Sequence, residues 1–440
     1  MRLSISIEEG LPAGPRLPRV AQTWAAANRP LELLEYGRDR FGKTFTIRAI
    51  SQPPLVCFSD PTDIQEIFSG SADTLHPGEG ASLLHPILGD QSFLLLDEDD
   101  HLYSRKVVMP SLHSTAVQRH ANFVTELTER EVASWPRGVP FALHPRLRAL
   151  ILETILRVIF GPTPDARLPR LRDRLLSAFS VFSSVLLPAP LLRRVPPGRA
   201  KWSRFQSQLR EADKIIYALI DERSEELTQQ GAAADLLRAA HDEDPAAMSR
   251  KALRDNIVTM LLAGHETTAS TLAWSFQALA HNPPAIKRVV EEIDGETGNA
   301  YLKATVYEVL RYRPVFIFTA PRVVKREIEL GGRTFVPPTY LFGAIFLVHH
   351  DPTIYPEPQA FRPERFLDLA PETPLWIPWG GGRKRCPGLH LALMELEIVI
   401  RTVLRRLAIQ PAGKKMERAK LRSLIVAPHG ECRLILHDRP

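Results

Sequence analysis

The chain has 440 residues, 44% hydrophobic and 24% charged, with a formal net charge of +6. That length exceeds most single domains and supplies an ample core; the charge is too small to argue for nucleic-acid binding and suits an acidic protein partner on a basic face. Three widely spaced cysteines, Cys57, Cys386 and Cys432, make no disulfide framework and point to a reducing, cytoplasmic setting. The first residues carry neither a long apolar region nor a cleavage pattern, and no stretch is apolar for long enough to span a bilayer, so no transmembrane anchor is expected.

In chain order, the prolines of residues 11–18 predict a stiff extended lead-in. A helix over 30–41 is stopped by Gly42. Alternation predicts strands over 44–50 and 54–59, and Asp60-Pro61 caps and opens a short helix, which together give a small β-meander. Residues 75–96, with Gly and Pro between apolar side chains, predict a long irregular segment of the functional kind. After the acidic run 97–100, His101 and Arg105 share a helix face at i and i+4, two donors able to grip carboxylates. Helices are predicted over 111–135, 145–160, 167–187 and 199–227. The connection 186–192 is apolar where loops normally face solvent, as a segment closing over an apolar pocket or touching a membrane surface would be.

Residues 255–280 form the most apolar long helical stretch. In its middle stands Ala263-Gly264-His265-Glu266-Thr267-Thr268. A glycine within a helix costs about 1 kcal/mol against alanine, and adjacent threonines bond back to the preceding turn. Such local inconsistency in the best buried helix points to function. A helix over 301–312 places Glu308 and Arg311 at i and i+3; residues 315–322 predict a strand and 328–335 a hairpin around Gly331-Gly332. His349-His350 reads as part of a turn.

The decisive stretch is Trp379-Gly380-Gly381-Gly382-Arg383-Lys384-Arg385-Cys386-Pro387-Gly388, running into an apolar helix. Cys386 sits at a helix start, where backbone N–H groups and the macrodipole favour a thiolate. The glycines let backbone approach a flat partner. A cationic loop around an anionic sulfur suits a metal-bound thiolate beside a ligand with carboxylates, and haem satisfies both halves.

This loop resembles the signature of the cytochrome P450 haem-thiolate monooxygenases: an aromatic, Gly, Arg or His, Cys and Gly at fixed spacing. Trp379, Gly382, Cys386 and Gly388 match, with Trp in the usual Phe place; Lys384 stands where Arg or His is usual and offers a point charge in place of a planar fork. The resemblance implies a mainly α fold with a minor β-domain, haem b lying between the long central helix and the helix after the Cys loop, and Cys386 as the iron ligand. It implies one domain over 1–440, its β-rich part at about 43–60 plus 315–350. The carry-over makes His101, Arg105 and Arg322 propionate clamps. Ala263 and Gly264 make room for dioxygen, Thr267 hydrogen-bonds it and holds a water, and Glu266 links that water to bulk protons. Glu308, Arg311 and Arg365 become a structural network. Substrate contacts are expected from Ala81, Leu83, Leu84, Ile87 and Leu88, from Phe179, Phe182 and Leu186, from Phe316, Ile317, Phe318 and Thr319, and from the run 424–428, which holds Leu424, Ile425 and Val426.

The function so implied is insertion of one oxygen atom from O2 into an apolar small molecule. No flavin or nicotinamide module is present, so electrons are expected from a separate ferredoxin or flavoprotein on the basic Cys386 face. The chain is expected to be a soluble bacterial-type monomer. Two alternatives keep the haem: a peroxide-using or peroxide-rearranging enzyme, against which Glu266-Thr267 argues, and a non-catalytic haem-binding sensor.

Overall fold

A computed structural model describes residues 10–50, 52–161, 165–185, 196–225, 249–367, 374–422 and 424–439, without the side chains of 182–185, 196–197 and 223–225. The apolar connection 186–192 and the side chains of Phe182 and Leu186 lie outside the described residues.

The helix Arg250–Ala280 is the axis of the fold. Ser249 starts it, its hydroxyl accepting from Ala252 N–H at 3.1 Å, and its 31 residues extend it about 46 Å. Most of its side chains are buried on every side, as a helix without a polar stripe must be. The helices His144–Phe160, Pro196–Glu225 and Leu389–Arg406 pack along it, and Arg167–Val185 packs on Pro196–Glu225. Ile155, Phe179, Phe205 and Leu261 belong to the core on one side. Leu272, Phe276, Leu302 and Val399 belong to a second core towards its C-terminal half.

The expected helix over 30–41 is found at Pro30–Phe41, stopped by Gly42 at φ 89°, and Asp60 caps Pro61–Ser69 by accepting from Thr62 N–H. The expected meander is corrected. Strands β1 (Thr44–Ile47) and β2 (Leu55–Phe58) pair antiparallel, but β2 then runs parallel to a strand far along the chain. With β3 (Leu75–His76), β4 (Pro140–Ala142), β5 (Arg322–Val324), β6 (Ile328–Leu330), β7 (Arg333–Phe335) and β8 (Tyr340–Gly343) numbered in order, the main sheet is β1-β2-β8-β5-β3. A two-residue local turn cannot make a parallel pair, so β2–β8 ties the N-terminal part to the 322–343 region. The strand expected over 315–322 is also corrected: 314–321 is irregular and the strand begins at Arg322. The predicted hairpin is β6–β7, with Gly331 and Gly332 at positive φ. The segment 75–96 contains β3 and three short helical turns between 77 and 88. Near the C-terminus, β9 (Leu407–Pro411) and β12 (Arg433–Asp438) join β4, and β10 (Ala419–Arg422) pairs with β11 (Ile425–Pro428). Cys57 and Cys432 are fully buried. No helix among the described residues is long and apolar enough to cross a membrane.

Candidate active site

The Cys386 loop is held in shape by its own backbone and by the helix Pro61–Ser69. Cys386 N–H donates to the Trp379 carbonyl at 3.0 Å, closing the loop over the one-turn helix Gly382–Lys384. Gly380 and Gly382 adopt φ 66° and 64°, conformations that L side chains avoid. The expectation that these glycines admit a flat ligand is corrected for Gly381 and Gly382. A Cβ on Gly381 would lie 2.3 Å from the Phe68 ring, and one on Gly382 would lie 2.1 Å from the Phe68 carbonyl. Their smallness serves the contact with that helix. Gly388 meets no such neighbour and is the residue before Leu389–Arg406. Trp379 packs on the core beside Leu396, and its buried Nε1–H finds no acceptor among the described residues.

The thiolate expected from position alone is also corrected. Burial pushes the Cys386 thiol above its usual range, outweighing the Gly388 N–H, Arg105 and Arg385, which pull it down. Without a metal the sulfur keeps its proton; a bound metal would displace it.

The basic side chains converge from three parts of the chain. His101, Arg322, Arg383 and Lys384 line one small cavity of about 30 Å³ together with Phe68 and Asp97, room for about one water. His101 is buried, with Nδ1 2.8 Å from the Phe93 carbonyl and Nε2 3.3 Å from the Arg383 carbonyl. Burial, then Lys384, holds its pKa down. Arg105 donates to the Arg385 carbonyl at 2.8 Å. Lys384, which stands where the family usually has Arg or His, is occupied by backbone. Its ammonium donates to the carbonyls of Phe93, Leu94 and Leu96 at 3.0, 3.2 and 2.5 Å. Those three bonds use all the donors a lysine has; it fastens the 93–96 segment to the Cys loop. Arg322 is the opposite case. It is 5% exposed, donates to the Ala320 carbonyl at 3.1 Å, and lies over Phe68 at 5.1 Å. It has no carboxylate partner among the described residues, and burial alone draws its pKa down to about 10.

On the central helix, Ala263 is exposed while Leu262, Gly264 and Thr267 are half-buried, in the middle of a helix otherwise enclosed. Thr267 Oγ1 donates to the Ala263 carbonyl at 2.7 Å, so the hydroxyl lies at the edge of that open surface. Gly264 does not face it. A Cβ there would lie 2.0 Å from Ile155 Cδ1, so the glycine lets the helix His144–Phe160 pack closely, and the open surface of this turn is at Ala263.

Glu266 points to the other side, into a buried charged group. Arg148 Nε lies 2.5 Å from one of its oxygens, His265 Nε2 at 3.5 Å and His144 Nε2 at 3.9 Å. Burial raises the carboxyl pKa, but Arg148 with the two imidazoles and Arg422 outweighs it and leaves the net shift downward. Burial holds both His144 and His265 at about 4, so they are neutral. Two residues along, Thr268 meets Glu395 from the helix that follows Cys386; burial pushes that carboxyl well up, outweighing the Thr268 hydroxyl.

A group that sequence reasoning missed fixes the segment before the His101 helix. Three consecutive buried polar residues at the start of the central helix hold residues 87–93. Arg254 donates to the Ile87 and Leu88 carbonyls at 3.4 and 3.2 Å and pairs with Asp213 at 2.8 Å. Asp255 accepts from Gln91 N–H, and Asn256 accepts from Phe93 N–H. Ser92 and Thr259 bond hydroxyl to hydroxyl at 2.7 Å. Arg-Asp-Asn opening an apolar helix was the available signal.

The expected substrate contacts divide. Ile87 and Leu88 expose no surface; pulled onto the central helix by Arg254, they are core residues. Ile317, Ile425 and Val426 are likewise 3%, 5% and 2% exposed, with the Val426 backbone bonded to Val315 and Trp274. Phe179 is buried against His265 in a stacked contact, and Thr319 is buried, its hydroxyl accepting from Gly343 N–H. Ala81, Leu83, Leu84, Phe316 and Phe318 remain half-buried. Leu83 and Leu84 share their apolar surroundings with Leu95, Leu262 and Leu424.

Glu308, Arg311 and Arg365 come together. The first two are fully buried, paired at 2.7 and 2.8 Å, and Arg365 Nε lies 3.6 Å from Glu308. Arg311 also donates to the carbonyls of His349, Pro358 and Ala360. Burial, not fully offset by Arg311, raises the Glu308 pKa. His349 and His350 end a short buried helix; burial lowers them to about 3 and about 2.

An iron porphyrin fits these residues. A buried arginine lacking an acid is what a carboxylate would satisfy, a half-buried cysteine stands in the loop whose Arg383 and Lys384 line the same cavity as that arginine, and the central helix carries its open surface at Ala263. Residues 12–435 match the family model described as Cytochrome P450. Among curated proteins, one of Mycobacterium tuberculosis (strain H37Rv), provisionally named cytochrome P450 135B1, is 34% identical over 435 residues, covering 97% of this chain and 91% of its own. Another, provisionally named cytochrome P450 138, is 34% identical over 433 residues, covering 98% and 97%. Similar solved structures include retinoic acid bound cyanobacterial CYP120A1, at TM-score 0.83 and 20% identity over 98% of this chain and 100% of that one. The cytochrome P450DA heme domain matches at TM-score 0.83 and 18% identity over 98% of each.

Proposed function

Since the chain belongs to the cytochrome P450 family, whose members are in general haem monooxygenases, we propose that it inserts one oxygen atom from O2 into an apolar small molecule, as one domain working as a cytoplasmic monomer. Haem b, bound through Cys386 with His101, Arg105 and Arg322 around its carboxylates, would supply the iron that activates oxygen once reduced. Every other part is played by the chain's own side chains.

The observation that carries this reading is the pairing of Thr267 and Glu266 on opposite sides of one helical turn. Thr267 Oγ1, at the edge of the open surface by Ala263, can donate a proton there by turning from the Ala263 carbonyl. Glu266, ionised beside Arg148, is the acceptor through which that proton is replaced. A peroxide-rearranging enzyme has no need of replacement protons, so this pair favours the monooxygenase over that alternative. Leu83, Leu84, Phe316 and Phe318 supply apolar surface for the substrate, and Leu424 joins them in place of Ile425 and Val426. Arg383 and Arg385 are exposed beside Cys386 and suit an acidic electron carrier, ferredoxin or flavoprotein, docking by charge.

The test is product formed per reductant consumed, measured with a ferredoxin–reductase pair. Thr267→Ala should leave the thiolate-type ferrous carbonyl spectrum intact and lower that ratio several-fold. An unchanged ratio, or turnover with peroxide alone that equals the reductase-driven rate, overturns the proposal.

A further inference from the structure

At the far end of the central helix, away from the Cys386 loop, lies a concave site of about 510 Å³ lined by Asn28, Gln277, His281, Lys415, Glu417, Arg418, Lys420, His429 and Arg433, with Ala412, Gly413, Ala419 and Gly430. From Gly264 to Gln277 is 13 residues of continuous helix, about 20 Å of rise. The site is therefore separate from the proposed haem pocket, and its volume is that of a small-molecule site.

The walls are rigidly built by one carboxylate. Glu417 Oε2 accepts from Gly430 N–H at 2.6 Å and Cys432 N–H at 3.2 Å. Its Oε1 accepts from Arg433 N–H at 2.7 Å and from Gln277 Nε2 at 3.4 Å. These bonds hold a turn in which Glu431 and Cys432 stand at φ 67° and 59°, a left-handed conformation that costs non-glycine residues of order 1 kcal/mol or more each. His281 Nε2, 3.2 Å from the Gly413 carbonyl, ties the opposite rim to the helix.

Glu417 is thus engaged by backbone, and Glu431, the nearest other acid in sequence, pairs with Arg422 at 2.8 Å. Lys415, Arg418, Lys420 and Arg433 have no acid partner among the described residues, and all four line the same concavity. Lys420 and Arg418 project from alternate positions near the start of one hairpin, with Arg418 also bonded through its carbonyl to His429 N–H. The negative end of the central helix lies here, but a macrodipole amounts to about half a charge. It offsets a fraction of one cation, not four.

We propose that this cleft is a binding site for a small anion carrying two or more linked phosphate groups. Arginine forks and lysine point charges from two walls match phosphate oxygens spread along a chain. A concave site of this size encloses such a group, whereas an acidic protein surface would meet only the rim. Asn28 and Gln277 stand beside the cations as hydrogen-bonding groups for whatever the phosphates are attached to.

The experiment uses the haem-loaded full chain, with inorganic pyrophosphate and a nucleoside triphosphate titrated at constant ionic strength, read by calorimetry and by melting temperature. Saturable binding with a rise of roughly 2–3 °C near a hundredfold excess over Kd is expected. Two variants, Lys420→Gln/Arg433→Gln and Lys415→Gln/Arg418→Gln, each remove two of the four cations. Each should weaken binding about tenfold or more, a loss of at least one charge-assisted contact, with the haem spectrum unchanged. Lys201→Gln/Arg204→Gln, on an exposed helix elsewhere, changes net charge equally and should bind as the parent does. Tighter triphosphate than pyrophosphate means that the attached group is also read; equal affinity means that phosphate alone is. Both support the site. Absence of saturable binding, undiminished binding in both cleft variants, equal loss in the distant variant, or citrate binding as tightly as pyrophosphate overturns it.

Discussion

Replacing Arg322 by methionine should move the stability of the haem-free and haem-loaded protein in opposite directions. Arg322 is 5% exposed, and it pairs with no carboxylate among the described residues. Burial takes its pKa from the usual arginine range down to about 10, and a shift of that size corresponds to roughly 3 kcal/mol disfavouring the cation. Against this stand one good hydrogen bond, to the Ala320 carbonyl at 3.1 Å, worth about 1 kcal/mol, and the contact over Phe68, worth about 0.5–1 kcal/mol. Methionine fills similar volume, so without haem Arg322→Met should be stabilised by about 1 kcal/mol, close to 1 °C for a chain of this length. With haem bound, the proposed carboxylate contact is lost, a charge-assisted bond of about 1.5–3 kcal/mol. Transfer of haem to an acceptor globin should then be roughly ten to a hundred times faster.

The sign also holds across pH. The folded pKa lies below the unfolded one, so the folded state binds fewer protons only from about 10 up to the ordinary arginine range, and there stability rises with pH. Below that window the penalty is fully present, so urea midpoints of haem-free parent and variant should keep the same order from pH 6 to 9. A variant that is less stable than the parent without haem, or that holds haem as firmly, refutes the assignment of Arg322 to a carboxylate.

Arg311→Met should cost about 3–5 kcal/mol, because it leaves the buried Glu308 without its bidentate partner, held only by Arg365 at 3.6 Å and the Arg362 N–H at 2.8 Å, and strands the carbonyls of His349, Pro358 and Ala360; soluble yield near that of the parent would contradict this. Gly264→Ala gains about 1 kcal/mol of helix propensity but drives a methyl into Ile155, an overpacking worth about 1–3 kcal/mol. Its melting temperature should fall, and Ile155→Val should restore it. In haem-free protein at pH 8, Cys386 should be the thiol that alkylates, since Cys57 and Cys432 are fully buried and burial pushes both well up; mass-resolved labelling of either buried cysteine at a comparable rate would contradict their placement.

The Cys386 loop was legible in sequence because its chemistry is local: a run of ten residues carries the sulfur, the turn and the start of the next helix. The same holds for the Asp60 cap and for Glu308 with Arg311, one turn apart on one helix. What misled were glycines and strands whose partners are remote. Gly382 looked like room for a ligand, but its neighbour is Phe68, more than 300 positions earlier. Gly264 looked like room for oxygen, but it faces Ile155 on another helix. The meander was read from two adjacent strands, while the pairing that defines the sheet joins β2 to β8 across most of the chain. Glycine and alternation report that something comes close, and not what.

Lys384 and the residues opening the central helix show how these remote contacts act together. The segment 87–96 has few bonds within itself beyond two short turns, so its shape must come from outside. From one side Arg254, Asp255 and Asn256 bond its backbone at residues 87–93; from the other, Lys384 takes the carbonyls of 93, 94 and 96. The two clamps overlap at Phe93, whose N–H goes to the central helix and whose carbonyl goes to Lys384 and His101. An arginine fork could not satisfy three carbonyls converging on one point as an ammonium does. The lysine in place of the family's usual residue thus goes with a loop that is strapped to both sides of the proposed haem pocket.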